Sequence, residues 1–178
     1  MKIIIHGGFF SESSTNIETK VAKQEALLRI VKKSHEYLQT HSALEAVVFA
    51  VSLLENDALF NAGIGSQIQS DGKIRMSAAL MNGETQKMSG VINIENVKNP
   101  IQVAEVLMKE DDRILGGSGA TNYARQHGFE EFSTEIPQRR TEYEAKVKSL
   151  GLGTVGCVAL DKDGQLAVAT STGGKGFE

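Results

Sequence analysis

Two apolar runs, TVGCVAL and QLAVATS, are separated only by the polar tetrad DKDG, Asp161 to Gly164. Strand-rich runs joined by so short a turn have one simple arrangement, an antiparallel hairpin. A second pair, KIRMSAALM and MSGVINI, brackets Asn82-Gly83, and Asn-Gly between apolar runs signals a tight turn at those two residues. Helical patterns separate the two hairpins, which predicts an α+β fold of strand layers with helices outside.

The helices are legible in outline. KIIIHGG predicts a short buried strand, Lys2 to Ile5, running into a glycine turn at Gly7 and Gly8. Ile17, Val21, Leu28, Val31 and Leu38 recur at helical spacing and predict an amphipathic helix on that face. Ser42 with Glu45 three residues on is a capping box. It opens a second helix whose apolar face is Ala43, Ala46, Val47, Ala50, Val51 and Leu54. Asn99-Pro100 starts a third, with proline in the first turn. Ser118 is a cap for a fourth, which Gly128 ends. The polar stretch 133–150 reads equally as a mobile segment or as one more solvated helix, Tyr143 and Val147 lying four apart.

Composition excludes several classes of function. At 178 residues the chain fits one domain, and a net charge of -3 gives no reason to expect nucleic acid. No apolar run approaches the ~18 residues of a membrane span. The single cysteine, Cys157, sits in an apolar run and reads as a small core residue, which suits a reducing cytoplasm. His6, His35, His41 and His127 lack metal-ligand spacing. His127 reads as a contact at a helix end, and His6 as structural. GGSG at 116–119 is a tight turn, and TSTGGKG fails as a phosphate-binding loop, because Ala169 stands where a glycine is needed.

Thr154 follows Gly153 directly. A threonine hydroxyl attacks an amide only with a base beside it, and one such base is the residue's own α-amino group. That requires a cut before Thr154. Glycine at 153 offers no side chain to obstruct the cut and tolerates a strained backbone. Taken alone, a Gly-Thr pair at a strand start is an ordinary structural feature.

The stretch GTVGCVALDKDGQLAVATSTGG resembles the signature of the plant-type L-asparaginases, also called isoaspartyl peptidases. IIIHGG, LLENDALFNAGIGS, AALMNG and VKNPIQVAEVLM follow the same family in order, so the resemblance covers nearly the whole chain. It implies an N-terminal-nucleophile hydrolase with a four-layer αββα sandwich. The substrate implied is L-asparagine or a β-aspartyl dipeptide, and the assembly a homodimer of αβ units. Residues 1–153 would match the α subunit, with a polar linker at about 133–153, and 154–178 the start of the β subunit. Carried over by position, Thr154 is the nucleophile, Thr172 orients or polarises its hydroxyl, and Asn61 holds its amine or the reacting oxygen. Gly7 and Gly8 lie behind the scissile Gly153–Thr154 bond. The loop from Leu54 resembles a structural sodium site built from main-chain carbonyls, here those of Leu54, Glu55, Asp57, Phe60, Ala62 and Ile64.

The sequence departs from the family in places. Phe9 and Phe10 follow HGG where small residues are usual, and Ser77 and Asn82 replace acidic residues near the hairpin. The arginine and aspartate that grip the substrate in the family, and a threonine and glycine of its oxyanion hole, would lie beyond Glu178. The expectation is therefore an incomplete domain, inactive alone and uncut at Gly153–Thr154. Two alternatives remain: a catalytically silent structural remnant, or a glycosylasparaginase-like or threonine-protease specificity. Gly153 fits the plant type better than the second.

Overall fold

A computed structural model describes residues 1–8, 17–145 and 153–174. Phe9, Phe10 and Val147 lie outside them. Six strands form one mixed sheet in the order β1-β5-β6-β2-β3-β4. The strands are β1 (Lys2–His6), β2 (Met76–Asn82), β3 (Met88–Ile94), β4 (Ile114–Gly116), β5 (Thr154–Leu160) and β6 (Leu166–Thr172). The two predicted hairpins do not make separate layers. They join edge to edge, because β6 pairs antiparallel with β2 from Ser77↔Thr172 to Asn82↔Ala167. Only β3 and β4 run parallel.

Five helices complete the described residues: α1 (Ile17–Leu38), α2 (Ala43–Glu55), α3 (Pro100–Leu107), α4 (Gly117–Gln126) and α5 (Pro137–Glu144). None is long and apolar enough to cross a membrane. Helix α2 lies on β5 and β6, and α3 on β2 and β3. The capping box forms as read, with the Glu45 amide donating to Ser42 Oγ and the Ser42 amide to the Glu45 carboxylate. All six residues of the predicted α2 face are buried, each large aliphatic among them contributing about 1.5–3 kcal/mol. The strand residues that meet them are Val155, Cys157, Ala159, Ala167 and Ala169. Burial pushes the Cys157 thiol up to about 12, so it packs as a small apolar residue.

Several expectations need correction. Helix α1 turns a different face inward: Ala26, Ile30, Ser34 and Leu38 are buried, while Ile17, Val21 and Leu28 are exposed. Helix α1 packs on α2 and β1, and the stripe it buries there carries small residues at 26 and 34. Strand β1 is not buried; it is a sheet edge, and Ile4 is 72% exposed. Asn82 and Gly83 do not form a two-residue turn. Asn82 ends β2, and its carboxamide oxygen accepts the amides of Glu84 and Thr85, so the loop runs on to Lys87. Gly83 instead donates its amide to the Leu166 carbonyl, and a Cβ there would stand 2.4 Å from that oxygen. Ser118 does not cap α4; Gly116 holds that position and Ser118 lies inside the helix. Within 133–150, residues 137–144 form the solvated helix, with no buried residue.

The sheet's other face is apolar and uncovered by any described element. Alternate residues point there, and Ile4, Met88, Ile92, Ile114, Val158 and Val168 are exposed on it.

Candidate active site

Thr154 opens β5 directly opposite Thr172, the last residue of β6. Two side chains converge on the carbonyl oxygen of Gly153, just before Thr154. Asn61 Nδ2 donates to it at 3.1 Å and Thr172 Oγ1 at 3.1 Å. The Thr172 hydroxyl thus binds the carbonyl ahead of Thr154, and it accepts the Gly174 amide at 3.2 Å. Thr170 Oγ1 donates to the Val155 carbonyl, so it braces the hairpin.

Asn61 is fixed from every side. Its oxygen accepts the Gln67 amide at 3.0 Å, its Nδ2 also donates to the Gly174 carbonyl at 2.8 Å, and its own carbonyl accepts the Gly173 amide at 2.9 Å. A carboxamide with every arm engaged cannot rotate away from Gly153. A Cβ at position 173 would lie 2.5 Å from Asn61 Oδ1, which explains the glycine after STG's first two residues. Gly7 lies under the Phe60 ring, and a Cβ on Gly8 would come within 2.8 Å of Gly153 Cα. The end of β1 therefore backs both the Asn61 loop and the bond before Thr154.

The loop after α2 is held by its own main-chain hydrogen bonds. Glu55 O accepts the Ile64 amide at 2.7 Å, Leu54 O the Asp57 amide, and Asp57 O the Phe60 amide. A Cβ on Gly63 would lie 2.2 Å from Glu55 O, and one on Gly65 2.3 Å from Phe60 O. Each carbonyl in such a bond keeps a lone pair. Main-chain carbonyl oxygens are ligands of the kind that suit a hard cation. The Asp57 carboxylate turns elsewhere, to Arg29 at 2.8 Å and the Leu59 amide at 3.1 Å.

Sequence reasoning missed the side chain of Glu55. Its carboxylate is fully buried and accepts the Ile101 amide at 3.1 Å and Asn99 Nδ2 at 3.1 Å. It caps α3 from another helix, while Asn99 makes no cap of its own. A charged residue closing the run from Ala46 to Leu54, directly before the loop, was the available signal. Burial raises its carboxyl to about 7, with the Asn99 and Ile101 hydrogen bonds pulling the other way. The folded value exceeds the unfolded one of about 4.5. Its contribution to stability is therefore complete below about pH 4.5 and lost as pH rises through 7, on the order of 3 kcal/mol. Denaturant midpoints measured from pH 4.5 to 8 should fall across that window, and Glu55→Gln should flatten the fall. An equal slope in the variant would assign it to other groups.

The class follows from fold and site together: an α+β protein whose β5 begins with a threonine, with the preceding carbonyl held by an asparagine and a second threonine. The chain belongs to the asparaginase family, whose sequence model, described as Asparaginase, matches residues 1–178. It is 42% identical to an isoaspartyl peptidase/L-asparaginase of Synechocystis over 99% of this chain and 59% of that protein. It is 36% identical to an isoaspartyl peptidase of Escherichia coli over 97% of this chain and 60% of the relative. A plant-type L-asparaginase of Pyrococcus abyssi is 35% identical over 97% of this chain and 63% of its own length. The chain thus spans less than two thirds of these relatives.

Proposed function

We propose that these residues are part of an amidohydrolase that cuts itself at Gly153–Thr154 and then hydrolyses L-asparagine or β-aspartyl peptides. The observation that carries this is the pair of donors, Asn61 Nδ2 and Thr172 Oγ1, on the Gly153 carbonyl. Attack by Thr154 Oγ on that carbon places negative charge on this oxygen, where fixed donors are worth most. Cleavage leaves Thr154 with a free α-amine, which then serves as the base for its own hydroxyl. Thr172 then faces the nucleophile from the paired strand, in position to orient it.

The remaining parts of the reading follow. Residues 1–153 act as the α subunit and Thr154 begins the β subunit, in a homodimer of such units in the cytoplasm. The uncovered apolar face of the sheet packs on a second sheet, completing a four-layer αββα sandwich around the Thr154 site. Relatives that are longer by more than a third supply the precedent for that additional chain. Substrate-gripping groups lie in the same added part.

The carbonyls of Leu54, Glu55, Asp57, Phe60, Ala62 and Ile64 hold a sodium ion, which fixes the loop that carries Asn61. Thermal midpoints in sodium chloride should exceed those in choline chloride at equal ionic strength. No difference would remove the ion from this account.

The experiment for the function uses the protein at the full length of its relatives. Expected is a cut chain that releases ammonia from L-asparagine or frees the C-terminal residue of a β-aspartyl dipeptide. A long, folded, uncut protein with no turnover of either would support a silent remnant instead.

A further inference from the structure

The first step of self-cleavage lacks a base of its own. Until Gly153–Thr154 is cut, the nitrogen of Thr154 is an amide and takes no proton, so the first attack needs an acceptor from elsewhere. The ladder shows where to look. Thr154 and Gly156 are two apart in β5 and share the open face of the sheet. Around them on that face the pairing places Thr172 beside Thr154 with Ser77 beyond it, and Thr170, Ala79 and His6 in line with Gly156. Imidazole is the one proton acceptor of neutral pH among these side chains.

His6 is also held close. It pairs with Gly156 across β1 and β5. A Cβ on Gly156 would lie 2.5 Å from His6 Nε2 and 3.0 Å from Cδ2. The ring edge therefore occupies the space in which a side chain at 156 would stand. Two residues of strand separate that space from Thr154, about 7 Å. Two waters hydrogen-bonded in series between the groups span such a gap. His6 and Thr154 are both exposed on this face, so water has access. Two residues after His6, Gly8 presses on Gly153, which ties the ring's position to the bond that breaks.

We propose that His6 is the proton acceptor of the first cut, acting on Thr154 through bridging water; this rests on the self-cleavage reading. The Thr154 hydroxyl proton passes by way of the bridging waters to Nε2 as Oγ bonds to the Gly153 carbon. The carbonyl electron pair moves onto the oxygen held by Asn61 and Thr172. Collapse breaks the carbon–nitrogen bond, and the proton returns from His6 to the departing Thr154 nitrogen. The product is an ester between Gly153 and Thr154 with a free amine. Water then hydrolyses the ester, leaving the Gly153 carboxylate and restoring the Thr154 hydroxyl. His6 ends as it began.

The test follows appearance of the 1–153 piece by mass in the full-length protein, as wild type, Thr154→Ala, His6→Gln and His6→Ala. Wild type should cut and Thr154→Ala should not. His6→Gln keeps the bulk without the proton acceptance and should slow cutting about 100-fold. Added imidazole should accelerate His6→Ala, in proportion to its neutral form, and a purely structural role would not show this. If His6→Gln does not fold, imidazole rescue of His6→Ala decides alone. Cutting of His6→Gln at the wild-type rate, or a slow His6→Ala that imidazole leaves unchanged, would overturn the role of His6 while the self-cleavage reading stands. A folded wild type that never cuts would remove that reading and this inference with it.

Discussion

Thr154→Ala, introduced into the full-length protein, should leave one uncut polypeptide with no turnover of L-asparagine. The substitution removes the attacking oxygen itself, so no residual route exists through the same geometry, and the loss should be complete in both assays. The fold should survive, because Thr154 is exposed at a strand start and its pairing with Thr172 is made by the backbone. Thr172→Ala is the instructive comparison. It removes one of two donors to the Gly153 carbonyl and leaves Asn61 in place, so cutting should slow by about 100- to 1,000-fold rather than stop. Intact mass over several days separates the two variants. A Thr154→Ala protein that still yields a piece ending at Gly153 would show that some other nucleophile makes the cut.

Both donors are in place among the described residues, whose strands form one sheet. The expectation that the short chain stays uncut therefore rests on strain at Gly153.

What was legible in the sequence is what short-range chemistry decides. The capping box at Ser42, proline at the start of α3, Gly128 after α4 and the strand runs all depend on neighbours a few residues apart, and they appear where read. Three features depended on partners far along the chain and were misread. The larger apolar residues of α1 mark a real stripe, yet the neighbouring α2 selects the stripe carrying Ala26 and Ser34. Asn-Gly at 82–83 is a turn signal, but the approach of Leu166 from the other hairpin takes up the Gly83 amide. The joining of the hairpins through β2 and β6 leaves no trace in either hairpin's own pattern. The same limit hid Glu55, whose partners Asn99 and Ile101 lie more than forty residues away. For the site, resemblance named Thr154, Thr172 and Asn61 but not the atom they share, since the convergence on the Gly153 carbonyl is a property of the folded loop alone.

Gly63→Ala should be the most damaging of the small substitutions. Position 63 has φ +54°, in the left-handed region, and the new Cβ would fall 2.2 Å from Glu55 O and 2.6 Å from Glu55 Cβ. Neither neighbour can give way cheaply. Glu55 O ends α2 and binds the Ile64 amide, while the Glu55 carboxylate is locked to α3. The backbone conformation costs about 1 kcal/mol. Relief of the overlap and loss of the Ile64 hydrogen bond bring the total to roughly 3–5 kcal/mol. That is a large part of a typical domain's 5–15 kcal/mol. Gly164→Ala is the control, since it has φ +78° with nothing within 4 Å of the added carbon. It carries the conformational cost alone, about 1 kcal/mol. Denaturant midpoints of the two variants separate strain from overlap. Because Asn61 lies two residues before Gly63, opening the loop should also withdraw its Nδ2 from the Gly153 carbonyl, so in the full-length protein Gly63→Ala should slow cutting and Gly164→Ala should not. Equal stability losses in the two variants would mean that the loop is not packed as described, and the support it gives to Asn61 would go with it.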